Sequence, residues 1–152
     1  MNSIEFEVIQ VIFRWDRRLE TGIALIDAQH RQFMEEANSF LIQYKFGYEA
    51  NSFRKYLEFL QHFVQSHFPA EEAYQVKCTY PKYRVHQSTH QYLATKLKFV
   101  TVKMQECNYC KQEYDLFYEF MNEWIQKHVL QDDLDFCQYF RQSQEKPGSG
   151  QR

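Results

Sequence analysis

Residues 50–75 read ANSFRKYLEFLQHFVQSHFPAEEAYQ, a stretch with one proline and no glycine. Mostly large side chains recur along it at every third or fourth position, the spacing of one face of an α-helix. These positions are Phe53, Leu57, Leu60, Val64, His67, Glu71 and Tyr74. The stretch therefore predicts a helix over about 50–75 that buries this face, with a histidine and a glutamate near its end.

Three more segments show the same periodicity, which predicts helices over about 23–45, 83–106 and 111–131, with a short extra helix over 134–142. Their inward positions are Ile26, His30, Phe33, Ala37, Phe40 and Tyr44; His86, His90, Leu93, Leu97, Val100 and Met104; and Tyr114, Phe117, Met121, Trp124 and His128. Between Ile23 and Lys146 the only glycine or prolines are Gly47, Pro69 and Pro81. Four helices with short connections favour an all-α, up-down-up-down four-helix bundle.

The length of 152 residues is typical of one domain. We expect an N-terminal arm over 1–20, extended over Ile4–Phe13, where β-branched and aromatic residues are frequent. The bundle itself should occupy 21–143. The tail over 144–152 contains proline and glycines and is expected to be disordered.

Composition and charge exclude several classes of protein. The 18 basic and 20 acidic residues give a net charge of −2, which argues against a nucleic-acid partner. No run of 18 apolar residues occurs, so we expect no membrane insertion. The N-terminus lacks the pattern of a signal peptide, which favours a cytoplasmic protein whose four cysteines are free thiols. We expect a monomer or a small homo-oligomer.

Five of the six histidines lie on the predicted inward faces: His30, His67, His86, His90 and His128. If neighbouring helices are antiparallel, all five lie at the same end of the bundle. Glu71 joins them, and a buried carboxylate is costly unless it is paired or binds a metal. His62 lies off the pattern, and we expect it to be a surface or partly buried residue without a role.

A seventh candidate ligand is Asp133, five residues after His128. Five residues correspond to about 140° around a straight α-helix, so the two side chains would not share a face. Asp133 can therefore join the site only if the helix ends or bends after about Val129. The neighbouring Asp132 is an equal competitor by composition.

Seven candidate ligands exceed the needs of one tetrahedral ion and indicate two ions. Imidazole with carboxylate suits iron, among other metals. The carboxylate-rich di-iron bundles carry Glu-x-x-His pairs, and no such pair occurs in this chain. The residues thus predict a histidine-rich metal site.

The motifs of the chain match those of a known family. They are Trp15 with Gly22–Ile23, then 26–30 (IDAQH), 67–72 (HFPAEE), 86–90 (HQSTH), and 124–128 (WIQKH) followed by Asp133. Over roughly 13–136 the chain resembles the hemerythrins, especially the single-domain bacterial ones. The resemblance implies a non-haem di-iron site with an oxo or hydroxo bridge. It assigns His86, His90 and His128 to one iron, His30 and His67 to the other, and Glu71 and Asp133 to both.

Two six-coordinate irons offer about twelve positions, and these ligands with the bridge fill all but one. The open position lies on the iron with two histidines, where the resemblance implies reversible dioxygen binding for storage, delivery or buffering. It also implies a dry pocket lined by Phe33, Phe68, Trp124, Ile125 and Val129.

Three features depart from the family pattern. Phe33 stands where the family usually has a smaller leucine, so the pocket is expected to be narrower or differently gated. Pro69 removes a helix hydrogen bond between His67 and Glu71, which predicts a kink. The Cys107-x-x-Cys110 turn is not a family feature, and its use as a redox pair is a hypothesis beside the simpler one of two turn thiols.

Alternative functions remain open. An open iron position is compatible with a di-iron oxidase, a peroxidase or a nitric-oxide scavenger. The lack of a polar proton-delivery group on the predicted inward faces counts against these enzymes. The chain could also act as an oxygen sensor through a partner protein.

Overall fold

The structure is a computed structural model, and it describes residues 14–145. Within them the helices are α1 (Ala24–Phe46), α2 (Ala50–Lys77), α3 (Tyr83–Glu106), α4 (Lys111–Glu123), a π-helical segment (Trp124–Asp133) and α5 (Leu134–Glu145). The described residues contain no strand, which confirms the predicted all-α four-helix bundle. The first three helices begin and end close to their predicted bounds. Among these residues, no helix combines the length and apolarity needed to cross a membrane.

Local hydrogen bonds fix where the first two helices begin. Before α1, the backbone N–H groups of Thr21 and Gly22 both donate to the Asp27 carboxylate. Gly22 has a φ of +83°, a left-handed conformation that suits glycine because it has no Cβ. Before α2, the Glu49 carboxylate accepts hydrogen bonds from the N–H groups of Asn51 and Ser52. These contacts satisfy N–H groups that have no partner inside the helices.

The fourth helix of the bundle consists of α4, the π-helical segment and α5. Its backbone stays helical through both junctions, at Trp124 and at Leu134. The predicted regular helix over 111–131 is therefore wrong beyond Glu123, and the short extra helix continues the same rod. Because α5 extends to Glu145, the predicted tail begins two residues too early. The rest of that tail, from 146, lies outside the described residues.

The described part of the N-terminal arm folds onto the end of this rod. Arg17–Leu19 forms a turn of 3₁₀-helix, and the Leu19 side chain is fully buried. The guanidinium of Arg141, in α5, donates to the backbone oxygens of Arg18 and Glu20. The arm is thus not extended over its last residues. The segment predicted to be extended, Ile4–Phe13, lies outside the described residues.

One end of the bundle is filled with aromatic rings, and we call it the aromatic end. Phe40 lies at its centre, stacked on Tyr56 with ring centroids 4.8 Å apart and edge-on to Phe117 at 5.3 Å. Phe53 and Tyr114 complete the cluster around it. These rings come from late α1, early α2 and early α4, so neighbouring helices run antiparallel, as predicted.

The turn between α3 and α4 closes the aromatic end. Cys107 and Cys110 form a disulfide there, whereas Cys78 and Cys137 are free. The prediction of four free thiols is therefore wrong for two of them. Asn108 and Tyr109, between the cysteines, both have left-handed φ values. The turn brings the two cysteine Cα atoms to 5.5 Å, within the range that a disulfide requires.

Candidate metal centre

The structure brings all seven predicted ligands together, and each is at most 3% exposed. One group comprises Glu71, His86, His90, His128 and Asp133; a second comprises His30, His67, Glu71 and Asp133. Within each group the ligand-type atoms lie within 4.8 Å of one another. Both groups share the two carboxylates, so the structure contains two adjacent clusters of ligand-type side chains that have Glu71 and Asp133 in common. His62 is exposed, as predicted.

Most of the side-chain nitrogen and oxygen atoms that point into this centre have no hydrogen-bond partner. The Nε2 atom of His86 lies 2.6 Å from Glu71 Oε1 and 3.2 Å from Asp133 Oδ1, yet it has no hydrogen-bond partner among the described residues. The same holds for Nε2 of His67, His90 and His128. Buried polar atoms are rarely left without partners. Lone pairs of nitrogen and oxygen that converge on one volume fit a cation, so the residues fit the predicted metals.

The outward ring nitrogens of four histidines have oxygen partners. His67 Nδ1 lies 2.9 Å from Gln29 Oε1, and His30 Nδ1 lies 3.4 Å from the Leu19 carbonyl oxygen. His90 and His128 contact carboxylates in the same way. Such an acceptor holds the proton on Nδ1 and leaves the Nε2 lone pair free to face inward. These partners therefore orient the imidazoles toward the centre.

Two pairs of adjacent acidic residues, Glu71–Glu72 and Asp132–Asp133, lie at the centre. In each pair one carboxylate points into the centre and the other contacts a histidine from outside. Glu71 faces the centre, whereas Glu72 Oε1 lies 2.8 Å from His90 Nδ1. Asp133 faces the centre, whereas Asp132 Oδ2 lies 3.1 Å from His128 Nδ1. The buried cluster therefore includes Asp133 and not Asp132. The outer roles are ones that sequence reasoning missed, although adjacent acids beside ligand histidines were the available signal.

The π-helical segment explains how Asp133 reaches the centre. Hydrogen bonds in a π-helix run between residues five apart, so such residues lie close to one face. His128 and Asp133 are five apart, and His128 Nε2 lies 3.2 Å from Asp133 Oδ1. The expectation that the helix must end or bend after Val129 is therefore wrong. Widening the helix achieves the same result without interrupting the rod.

Without a metal, protons hold the centre together. Burial raises the pKa of Glu71, but the hydrogen bond with His30 and the nearby His67 imidazole outweigh it and leave that pKa well below its ordinary value. Burial lowers the pKa of His86, yet the Asp133 and Glu71 carboxylates close to its Nε2 raise it to about 10. Burial dominates at His67 and lowers its pKa. A metal ion must therefore displace protons from this cluster.

The five predicted pocket residues are all buried beside the centre, in contact with other apolar side chains. Phe68 is stacked on the imidazole of His90 with ring centroids 3.9 Å apart. Phe33 lies 5.4 Å from Trp124 and 4.9 Å from Phe63. Phe63 was not predicted, although its ring stacks on His67 at 4.7 Å. Helix α2 continues across Pro69, so the proline does not end it.

Sequence reasoning also missed Gln75. Its side chain is fully buried, and neither amide atom has a hydrogen-bond partner among the described residues. The predicted inward face of this helix ended with Tyr74 and did not include this buried polar group. Gln75 continues the four-residue spacing of His67 and Glu71, whereas the predicted inward residue, Tyr74, is partly exposed. That spacing was the signal that could have identified it.

Comparison with known proteins gives an independent result. The family model described as the hemerythrin HHE cation binding domain matches residues 21–139. A bacteriohemerythrin of Clostridium acetobutylicum is 27% identical over 129 residues, which cover 82% of this chain and 98% of that protein. Bacteriohemerythrins of Pseudomonas paraeruginosa and Pseudomonas aeruginosa are each 26% identical over 129 residues, or 85% of this chain and 82% of theirs. No solved structure gives a significant match.

The domain match and the buried cluster agree with each other. The match spans all seven facing residues, from His30 to Asp133, and its description names cation binding. The cluster supplies only imidazole and carboxylate groups, so the site is of the non-haem kind. The chain belongs to the hemerythrin family.

Proposed function

We propose that this protein binds dioxygen reversibly at a non-haem di-iron site and stores, delivers or buffers it. One observation carries the proposal: five histidines and two carboxylates form two overlapping ligand groups, and both groups share the carboxylates. Such a donor set suits two adjacent iron ions. The names of the relatives support dioxygen as the ligand.

The two proposed iron sites are unequal. His86, His90 and His128 would hold one ion, whereas His30 and His67 would hold the other, and Glu71 and Asp133 belong to both groups. The ion held by two histidines would have the fewer protein ligands, so it would be the one that leaves room for dioxygen. Two ferrous ions would supply the electrons needed to bind dioxygen.

In this proposal, aromatic and aliphatic side chains keep water away from the position at which dioxygen binds. Phe33, Trp124 and Ile125 are at most 1% exposed, and Phe68 covers His90. An apolar enclosure withholds protons from the ligand, which favours its release as dioxygen. Glu72 and Asp132 hold two of the imidazoles in place from outside. The proposed pocket thus combines fixed ligands with a dry surface.

The test is anaerobic reconstitution with ferrous iron, followed by addition of oxygen. We expect two iron ions per chain and a visible charge-transfer band that appears with oxygen and disappears when oxygen is removed. His67→Ala should abolish the band, whereas His62→Ala, on the same helix but exposed, should preserve it. An irreversible band, no band, or an iron content far from two contradicts the proposal.

A second candidate function is a di-iron oxidase, peroxidase or nitric-oxide scavenger. The buried amide of Gln75 favours it, since a polar group near the centre can bind a water molecule that carries protons. Turnover of hydrogen peroxide or nitric oxide, lost in His86→Ala, would establish this function. If the protein binds dioxygen but turns over neither hydrogen peroxide nor nitric oxide, only the carrier function is supported.

We place this function in the cytoplasm and propose a monomer or small homo-oligomer as the working form. Cell fractionation with a visible spectrum of the soluble fraction tests the location. Light scattering of the iron-loaded protein gives its mass, to be compared with 18.6 kDa for one chain. A membrane-bound fraction or a large assembly contradicts these statements.

A further inference from the structure

Gln75 stands apart from every other buried polar side chain described. Over residues 14–145, eight buried side-chain nitrogen and oxygen atoms have no hydrogen-bond partner. Six of them belong to histidines and carboxylates that face the metal centre. The remaining two are the amide nitrogen and the amide oxygen of Gln75. Metal ions explain the six, so the Gln75 amide needs a different partner.

Gln75 lies next to the metal centre, on the side toward the C-terminus of α2. It lies four residues after Glu71 on α2, which is one helical turn and about 6 Å along the axis on the same face. Cys137 lies four residues after Asp133 on the fourth helix, and the charges of Asp133 and Glu71 add to burial in raising the pKa of its thiol. Gln75 and Cys137 are therefore both in the layer below the two bridging carboxylates.

Neighbouring protein groups at this layer already have partners. The Cys137 thiol donates to the Leu19 carbonyl oxygen at 3.2 Å. The backbone oxygen of Gln75 accepts from the N–H of Tyr80 at 2.9 Å. The side-chain amide, with two donors and one acceptor oxygen, is left over. Internal water molecules commonly satisfy such groups, each with two to four polar contacts.

A surface cavity leads toward the same layer. Its volume is about 330 Å³, and Tyr80, Lys82, Val85, His86, Asp132 and Asp135 line it. Tyr80 connects the cavity with Gln75: its side chain lines the cavity, its ring is 6.4 Å from that of His86, and its backbone N–H donates to the Gln75 backbone oxygen. The cavity is thus lined by a residue that is hydrogen-bonded to Gln75 through the backbone.

We propose that Gln75 holds an internal water molecule beneath the metal centre, and that this water is the inner end of a proton path entering beside Tyr80. The centre then has two different sides. Phe33, Phe68 and Trp124 form the dry side, where apolar surface excludes water. The Gln75 layer forms the wet side, where one amide binds it.

This path has a consequence that rests on the proposed function. Dioxygen held at the centre, two electrons from the two metal ions and two protons together give hydrogen peroxide. Each metal ion is then oxidised by one electron, and the oxygen is no longer releasable. A water held by Gln75 therefore shortens the life of the oxygenated protein.

The first test is crystallographic and needs no bound oxygen. High-resolution structures of the metal-free and iron-loaded protein should show an ordered water within about 2.7–3.2 Å of Gln75 Nε2 or Oε1. The water should be missing in Gln75→Met and in Gln75→Leu, two apolar replacements of similar size. A wild-type amide with no water, or one bonded only to protein atoms, overturns the water site.

The second test measures the rate at which the oxygenated protein oxidises. Gln75→Met should slow this oxidation several-fold and reduce its solvent deuterium isotope effect. Gln61→Met is the matched control, because Gln61 is on the same helix but bonded to Thr101 away from the centre. A Gln75→Met rate within twofold of wild type, or an equal effect of Gln61→Met, overturns the proton path. If no reversible oxygen binding occurs, the proposed function fails, while the crystallographic comparison still decides the water site.

Discussion

The two ends of the bundle are built on opposite principles. At the aromatic end, Phe40, Phe53 and Phe117 pack ring against ring, and none of the buried side-chain polar atoms described there lacks a partner. At the other end, which we call the metal end, five imidazoles and two carboxylates face one another, mostly without hydrogen bonds. The aromatic end is packed without any bound ion, whereas the buried polar atoms of the metal end fit cations as their partners.

The largest effect is expected from Glu71→Gln at the metal end. The change removes the negative charge of a carboxylate whose Oε1 faces His86 and His90 and whose Oε2 faces His30 and His67, while it preserves the shape of the side chain. Affinity for each ion should fall by more than the roughly 10–100-fold that loss of an outer partner costs. Competition with a chelator, followed by metal analysis, measures this change.

Glu72→Gln is the matched control for Glu71→Gln, since Glu72 contacts His90 only from outside. It should lose affinity by about 10–100-fold and still bind two ions at saturation. Circular dichroism should show both variants to be as helical as the wild type. A Glu71→Gln protein that binds metal as tightly as Glu72→Gln contradicts the bridging role.

A comparable truncation at the aromatic end should affect stability and leave metal binding intact. Phe117 is fully buried and contacts Phe40, Phe53 and Tyr56. Phe117→Ala should lower the free energy of unfolding of the metal-free protein by about 3–5 kcal/mol, because it opens a cavity in the core. Urea titration measures the loss. If Phe117→Ala also releases metal from the folded protein, the two ends are not independent.

Much of this contrast could be predicted from periodicity. The predicted inward faces of α1, α2 and α3 include four of the candidate ligand histidines. The antiparallel order of the helices then predicts that all four lie at one end of the bundle. Asp133 could not be placed in this way. A period of 3.6 residues is assumed in such reasoning, and the π-helical segment departs from it at the site itself. The resemblance to a family supplied Asp133 instead.

Two other features depend on packing that a helical pattern does not contain. Tyr74 and Gln75 are adjacent, and hydrophobicity favours the tyrosine as the inward residue. The structure buries Gln75 instead, since its position continues the face of His67 and Glu71. The disulfide likewise depends on the left-handed conformations of Asn108 and Tyr109, which bring the two cysteines together. The expectation of free thiols came from the missing signal-peptide pattern, and two consecutive non-glycine residues in that conformation are too uncommon to be expected from sequence.

The stability of the metal end should also depend on pH in the metal-free protein but not in the iron-loaded one. The pKa of His86 is about 10 in the folded, metal-free protein, against an ordinary value of 6.5. Its stabilising contribution is complete below pH 6.5 and is lost as the pH rises through about 10. The His30 pKa is raised in the same direction, while the lowered pKa of His67 acts below this range. The thermal unfolding midpoint of the metal-free protein should therefore decrease as the pH rises from 6.5 to about 10.

Metal-bound imidazoles carry no proton on Nε2, so the iron-loaded protein should not show this fall. Thermal unfolding of both forms across the range checks the difference. In the metal-free protein His86→Ala should flatten the profile, and His62→Ala should leave it unchanged because His62 is exposed. Parallel profiles for the two forms contradict the assignment of these protons to the metal end.

The smallest effect is expected at the turn that closes the aromatic end. A disulfide over so short a loop restricts the unfolded chain little, so Cys107→Ser should lower the free energy of unfolding by about 2 kcal/mol or less. Under reducing conditions the variant and the wild type should be equal, because neither then has the bond. Thiol titration of the unreduced wild type should find two thiols, those of Cys78 and Cys137. Metal content should stay unchanged throughout, since the turn and the ligands lie at opposite ends; a loss of metal on reduction would mean that the disulfide helps to hold the metal end together.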